Sequence, residues 1–187
     1  MTTRWSCSIL AIMAALTWGL PAWAEPSHPD PTYLLVSKPP QRQRNEIRAM
    51  RAQTLRRLPQ IAPGSRQEIS RAAGYAIFKN QGATGEGLVH DNQTGRDTYM
   101  KMAGLAAEAE GGFRNQRLVL ILAQRDILER FIQEGWTFGD QAGDAAQIPP
   151  DIKIYQITEN GLAPQVSLQG SKFWPDETLN SKSRKTR

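Results

Sequence analysis

Leu118-Val119-Leu120-Ile121-Leu122 is an unbroken apolar run, preceded by Arg117 and followed by Ala123-Gln124. A short run without alternation reads as a central strand buried on both faces. Beyond it, Ile127, Leu128, Phe131 and Ile132 recur at helical spacing and form one apolar face, with Gly135 closing the helix. Trp136-Thr137-Phe138-Gly139 is strand-like, and the Ala/Gly-rich residues 140–147 are a candidate short helix. Residues 152–158 and 166–168 read as two further strands joined around Asn160-Gly161.

Upstream of the run, residues 105–113 are small and glycine-bearing. Thr98, Met100 and Met102 alternate with Tyr99 and Lys101 in a strand. Asn92-Gln93-Thr94-Gly95 reads as the loop of a hairpin whose first arm resumes over residues 88–91. Tyr75-Ala76-Ile77-Phe78 is another strand, interrupted by Gly82, Gly85 and Gly87. Short, hairpin-like connections favour antiparallel pairing, and glycines inside strands permit the bends that curl a sheet. The fold class is therefore α+β: a strongly curved antiparallel, barrel-like sheet of short strands, with one long packed helix and N-terminal helices.

Residues 41–58 lack Gly and Pro and read as a helix that Pro59 ends. Ile47, Met50, Thr54 and Leu58 fall within about 80° of one another around it. Arg44, Arg48 and Arg51 border that strip on one side and Arg57 on the other. Residues 38–71 hold nine basic and two acidic side chains. Ser65-Arg66-Gln67-Glu68 has capping-box spacing, so a short helix is expected from there to Gly74.

The chain has 187 residues, of which 22% are charged, 40% hydrophobic and 7% aromatic, with a net charge of +5. That composition suits a globular protein and excludes a fibrous or disordered one, and the charge favours anionic partners. Residues 1–24 have the three parts of a secretory signal peptide: Arg4, an apolar stretch of ~12 residues and Ala22-Trp23-Ala24. Cleavage after Ala24 would place the protein in the periplasm or outside the cell. The apolar stretch is short of the roughly 20 residues that a spanning helix needs, so no transmembrane segment is expected in the mature chain. Cys7, the single cysteine, falls in this leader, and with His28 and His90 it cannot build a zinc site. Residues 25–40 form a Pro-rich leader and residues 180–187 a basic tail expected to be disordered.

From Ala73-Gly74-Tyr75-Ala76-Ile77-Phe78 onward the chain resembles the SYLF-domain family, lipid-binding proteins whose eukaryotic members also bundle actin. The likeness runs through Thr94-Gly95 and Thr98-Tyr99-Met100-Lys101-Met102. It is strongest in Arg117 and the five residues after it, then in Glu134-Gly135-Trp136-Thr137-Phe138-Gly139. It returns in Ile154-Tyr155-Gln156-Ile157-Thr158-Glu159-Asn160-Gly161-Leu162 and ends near Gly170 and Trp174. The resemblance thus covers a SYLF-like domain over residues 72–179, preceded by a basic helical segment over residues 41–71. It implies an exported, non-catalytic protein that binds anionic phospholipids, with no cofactor and no nucleic acid. Two departures stand out: the glycine-rich insert after the first strand is short, and Glu108 and Glu110 replace small residues.

On that reading Arg44, Arg48, Arg51 and Arg57 bind lipid headgroups while Ile47, Met50 and Leu58 insert shallowly into the bilayer. The other reading of the same helix is a solvated element that docks its narrow strip on the domain. Trp136 and Phe138 could cup an acyl chain, or pack in the core against Phe131. His90 is a structural histidine on this reading, because no serine elbow or cysteine nucleophile accompanies it. Glu108 with Glu110, and Asp140 with Asp144, read as solvated carboxylates rather than acid/base or metal pairs. Gly82, Gly85 and Gly87 do not open a helix, which a phosphate cradle requires. Asn92-Gln93-Thr94 matches a glycosylation triplet but reads more simply as a turn. The alternative function is a protein-interaction module whose basic helix and tail dock on an acidic envelope partner.

Overall fold

A computed structural model of the chain describes residues 38–81, 84–104, 114–138, 148–163, 168 and 170–181. Helix α1 spans Pro40–Ile61 and α2 Ser65–Arg71. Strands β1 (Gly74–Gln81), β2 (Thr84–Asp91), β3 (Asp97–Ala103) and β4 (Arg114–Leu122) follow, then α3 (Arg125–Gln133) and β5 (Trp136–Thr137). Strands β6 (Ile152–Thr158), β7 (Gly161–Leu162) and β8 (Lys172–Pro175) lead to α4 (Glu177–Asn180). All pairings are antiparallel, in the order β5-β8-β3-β2-β1-β4-β6-β7, and the sheet curls into a half-barrel.

Strand β4 lies between β1 and β6, as its continuous apolar run requires, and alternate residues enter two separate cores. Leu118, Leu120 and Leu122 join Ala76, Phe78, Val89, Met100 and Met102 beneath α3. Val119 joins Tyr75, Ile77, Leu88 and Tyr99 beneath α1. The sheet is therefore clad by helices on both faces, which is why its central strands are apolar on both. In the α3 core, Phe173 contacts three rings: Phe78 at 4.9 Å, Phe131 at 5.7 Å and Phe138 at 5.8 Å between centroids.

Two glycines set close approaches. A Cβ on Gly87 would lie 2.2 Å from the Ile77 carbonyl oxygen of the neighbouring strand. Gly135 has φ of 77°, and a Cβ there would lie 2.1 Å from the carbonyl oxygen of Phe173. The turn from α3 into β5 therefore needs a residue that tolerates the left-handed region and has no side chain.

The structure departs from the sequence expectations in several places. Helix α1 runs past Pro59, because the Ala62 N–H donates to the Leu58 carbonyl and closes a last turn. The inserted helix α3 is short, nine residues, and the long helix is α1. No capping box forms at Ser65. The N-cap is Gly64, in the left-handed conformation, and its carbonyl accepts from Gln67 and Glu68 N–H. The Glu68 carboxylate goes instead to Lys153 (2.5 Å) and the Tyr155 hydroxyl (2.7 Å), which tie α2 to β6 and hold that carboxyl below its usual range. Helix α2 ends at Arg71, and Gly74 begins β1 rather than capping the helix. Leu168 is buried but not in a strand. β8 and α4 had no counterpart in the sequence reading. Asn180, assigned to the tail, ends α4, and its amide accepts from Tyr99 N–H and donates to Tyr99 O. The leader (residues 1–24), most of the Pro-rich stretch, Val166 and residues 182–187 lie outside the described residues, as do Glu108, Glu110, Asp140 and Asp144.

Candidate functional site

The most charged element, α1, belongs to the same compact unit as the sheet. Its buried residues are Ile47, Met50, Thr54 and Leu58, the strip that helical spacing marks out. They face Tyr75, Ile77, Leu88, Tyr99, Val119, Ile157 and Leu179. Ile47, Met50 and Leu58 retain only 2%, 7% and 0% exposure. This corrects their expected role: with α1 docked, the three side chains are committed to the core and present nothing to a bilayer.

The four flanking arginines reach down around the helix to the domain. Arg44 donates to the carbonyls of Leu179 (2.8 Å) and Ser181 (2.9 Å) at the end of α4. Arg57 donates to the carbonyls of Thr158 (3.0 Å) and Glu159 (3.2 Å) at the β6–β7 turn. Arg51 donates to Asp97 Oδ1 at 2.6 Å, and His90 Nδ1 meets the same oxygen at 2.7 Å. Arg48 stands 3.9 Å from the other Asp97 oxygen, with its guanidinium 5.8 Å from the Tyr99 ring centroid. Burial pushes the phenols of Tyr75 and Tyr99 up, against the opposing pull of these guanidinium groups. His90 also lies against the Tyr75 ring, 5.2 Å between centroids, so it is a structural member of this node.

The clamp neutralises only part of the charge. Asp97 serves Arg48 and Arg51, Glu46 serves Lys38 and Arg42, and Glu68 serves Lys153. Arg44 and Arg57 are bonded to neutral carbonyls. Arg56, Arg66 and Arg71 are exposed and have no ion pair among the described residues. The α1–α2 side of the molecule is therefore a positively charged surface whose apolar strip is already covered.

The expected acyl-chain pair is separated in role. Phe138 is 2% exposed and lies in the aromatic core with Phe131 and Phe173. Trp136 is half-buried, with the Arg130 guanidinium 5.6 Å from its ring centroid. Phe138 thus packs in the core with Phe131 and Phe173. Gly85 and Gly87 are inside β2. The Asn92 amide donates to the carbonyls of Ile69 and Ala72, as a turn residue would. Nothing in the sequence around Asp97 marked it as the acceptor for α1.

The fold and this face together define an α+β protein with a basic helix clamped over a curled antiparallel sheet. No family model matches the chain. Beta cell expansion factor A of Aeromonas veronii is 31% identical over an alignment that takes in 87% of this chain and 68% of that relative. The chain belongs to the family of that protein. Among the described residues, no helix is long and apolar enough to cross a membrane.

Proposed function

We propose that the protein is an exported, non-catalytic SYLF-type protein that engages anionic phospholipid headgroups through its α1–α2 face. One observation carries this reading: Arg56, Arg66 and Arg71 are exposed, and no carboxylate among the described residues is paired with them or with Arg44 and Arg57. Each basic side chain near an anionic surface is worth about 1 kcal/mol, so five arginines suffice for salt-sensitive attachment without insertion. The SYLF resemblance over residues 72–179 and the signal-like residues 1–24 support the same reading. Arg44, Arg48, Arg51 and Arg57 contribute their charge to this field while they hold the helix in place.

The test is co-sedimentation of the mature chain with phosphatidylglycerol-containing and pure phosphatidylcholine vesicles at low and high salt. Binding only to the anionic vesicles, lost at high salt, is expected. Replacing Arg56, Arg66 and Arg71 together with Gln should weaken it tenfold or more, at about 1 kcal/mol each, and leave the melting temperature unchanged. Failure to pellet with any vesicle at low salt overturns the proposal. The covered apolar strip favours a second reading, docking on an acidic envelope protein, since such a surface asks for charge without insertion. Capture of one specific acidic partner in the absence of vesicle binding would establish it.

A further inference from the structure

One row of the sheet, on the face that α1 covers, is charged from strand to strand. In register it runs Lys101, Glu86, Lys79 and Arg117 across β3, β2, β1 and β4. Lys79 and Arg117 are direct cross-strand neighbours of like charge, which is unfavourable, while Glu86 is the opposite-charge neighbour of Lys79 on its other side. Arg117 donates only to neutral oxygens, Thr54 Oγ1 at 3.2 Å and Gln53 Oε1 at 3.0 Å. Burial, first, and the nearby Arg57 push its guanidinium below the usual value. Lys79 has no hydrogen bond or ion pair among the described residues. The neighbouring carboxylates are engaged: Glu86 accepts from Gln43 at 2.7 Å, and Glu46 from Lys38 at 2.6 Å and Arg42 at 3.2 Å. Lys101 is paired with Asp176 at 3.3 Å.

Between this row and α1 lies a groove of about 460 Å³, lined by Lys79, Arg117, Gln53, Ile47 and Met50, with Lys38, Glu46 and Glu86 also on its wall. We infer that this groove binds a phosphate ester, with the Arg117 guanidinium and the Lys79 ammonium contacting its oxygens and the Gln53 amide as a third donor. A tetrahedral phosphate offers enough acceptors for all three groups at once, and a planar guanidinium matches two of its oxygens. The Gln53 oxygen is occupied by Arg117, which leaves its NH₂ for the anion. The inference rests on the phospholipid reading above and gives the headgroup a place.

Lys79→Gln is the principal variant, because Lys79 holds nothing else in the structure. Lys172→Gln, at an exposed position of β8, removes the same charge elsewhere. Both are compared with wild type on phosphatidylglycerol vesicles, and both are titrated with glycerol 3-phosphate and with inorganic phosphate while backbone amide signals are followed by NMR. Lys79→Gln should weaken vesicle binding about fivefold more than Lys172→Gln, because only Lys79 contacts the headgroup. Glycerol 3-phosphate should move the amides of residues 79 and 117 in wild type and not in Lys79→Gln. If vesicles bind wild type but the two variants behave alike and no such shifts occur, the site is wrong and the phospholipid reading survives. If vesicles are ignored yet either phosphate moves those amides, the site stands for a soluble phosphate and the membrane reading falls. If neither binds, both fall.

Discussion

Asp97 is the side chain on which the clamp converges, since it receives Arg51, Arg48 and His90. Asp97→Asn should loosen α1 by about 1.5–3 kcal/mol, the range for a hydrogen bond to a charged group, read as a lower urea midpoint. Asp91 makes a second such centre. The Arg125 guanidinium at 2.8 Å holds its carboxyl well below the usual carboxylate range, and N–H donors from Gln93 and Thr94 add to this against the opposing effect of burial. A carboxyl depressed in the folded state stabilises it fully above the ordinary carboxylate range, and that contribution fades as pH falls through the depressed value. Asp91→Asn should therefore be less stable at neutral pH, and its urea midpoint should fall less between neutral pH and about pH 2. Gly87→Ala tests the curl: a methyl group aimed at the Ile77 carbonyl should cost at least about 2 kcal/mol, with the strand pairing disturbed in amide exchange.

At the scale of elements, what could be read from sequence was what repeats locally. The α1 strip of Ile47, Met50, Thr54 and Leu58 follows from helical spacing, and so does the buried face of α3. The unbroken run of β4 implied burial on both faces, and two cores confirm it. Which residues cover the strip was not legible, because they are spread over β1, β2, β3, β4, β6 and α4 along the rest of the chain. β8 has four residues and α4 has four, too few for any period to emerge. Ser65 and Glu68 show the opposite failure: a local motif lost to Lys153 and Tyr155, which only the folded chain brings near. Since the strip is core, Leu58→Ala should cost about 2–5 kcal/mol by chemical denaturation, while Arg56→Ala stays within roughly 0.5 kcal/mol.

For the molecule as a whole, the sheet depends on its first helix as much as on its own strands. Tyr75, Ile77, Leu88, Val119 and Ile157 are buried in the core that α1 shares. A chain that begins after α1 would bare that face, and size-exclusion chromatography should find it aggregated rather than monomeric. Among the described residues the outer strands β5 and β7 are two residues each, so they offer little ladder for edge-to-edge association, and the aggregation would proceed through the uncovered face.

Arg44 and Arg57 grip main-chain oxygens rather than side chains. A carbonyl is present whatever residue carries it. Thr158, Glu159 and Ser181 can therefore drift over evolutionary time without cost to those two anchors, whereas Asp97, gripped through its own carboxylate, has no such latitude.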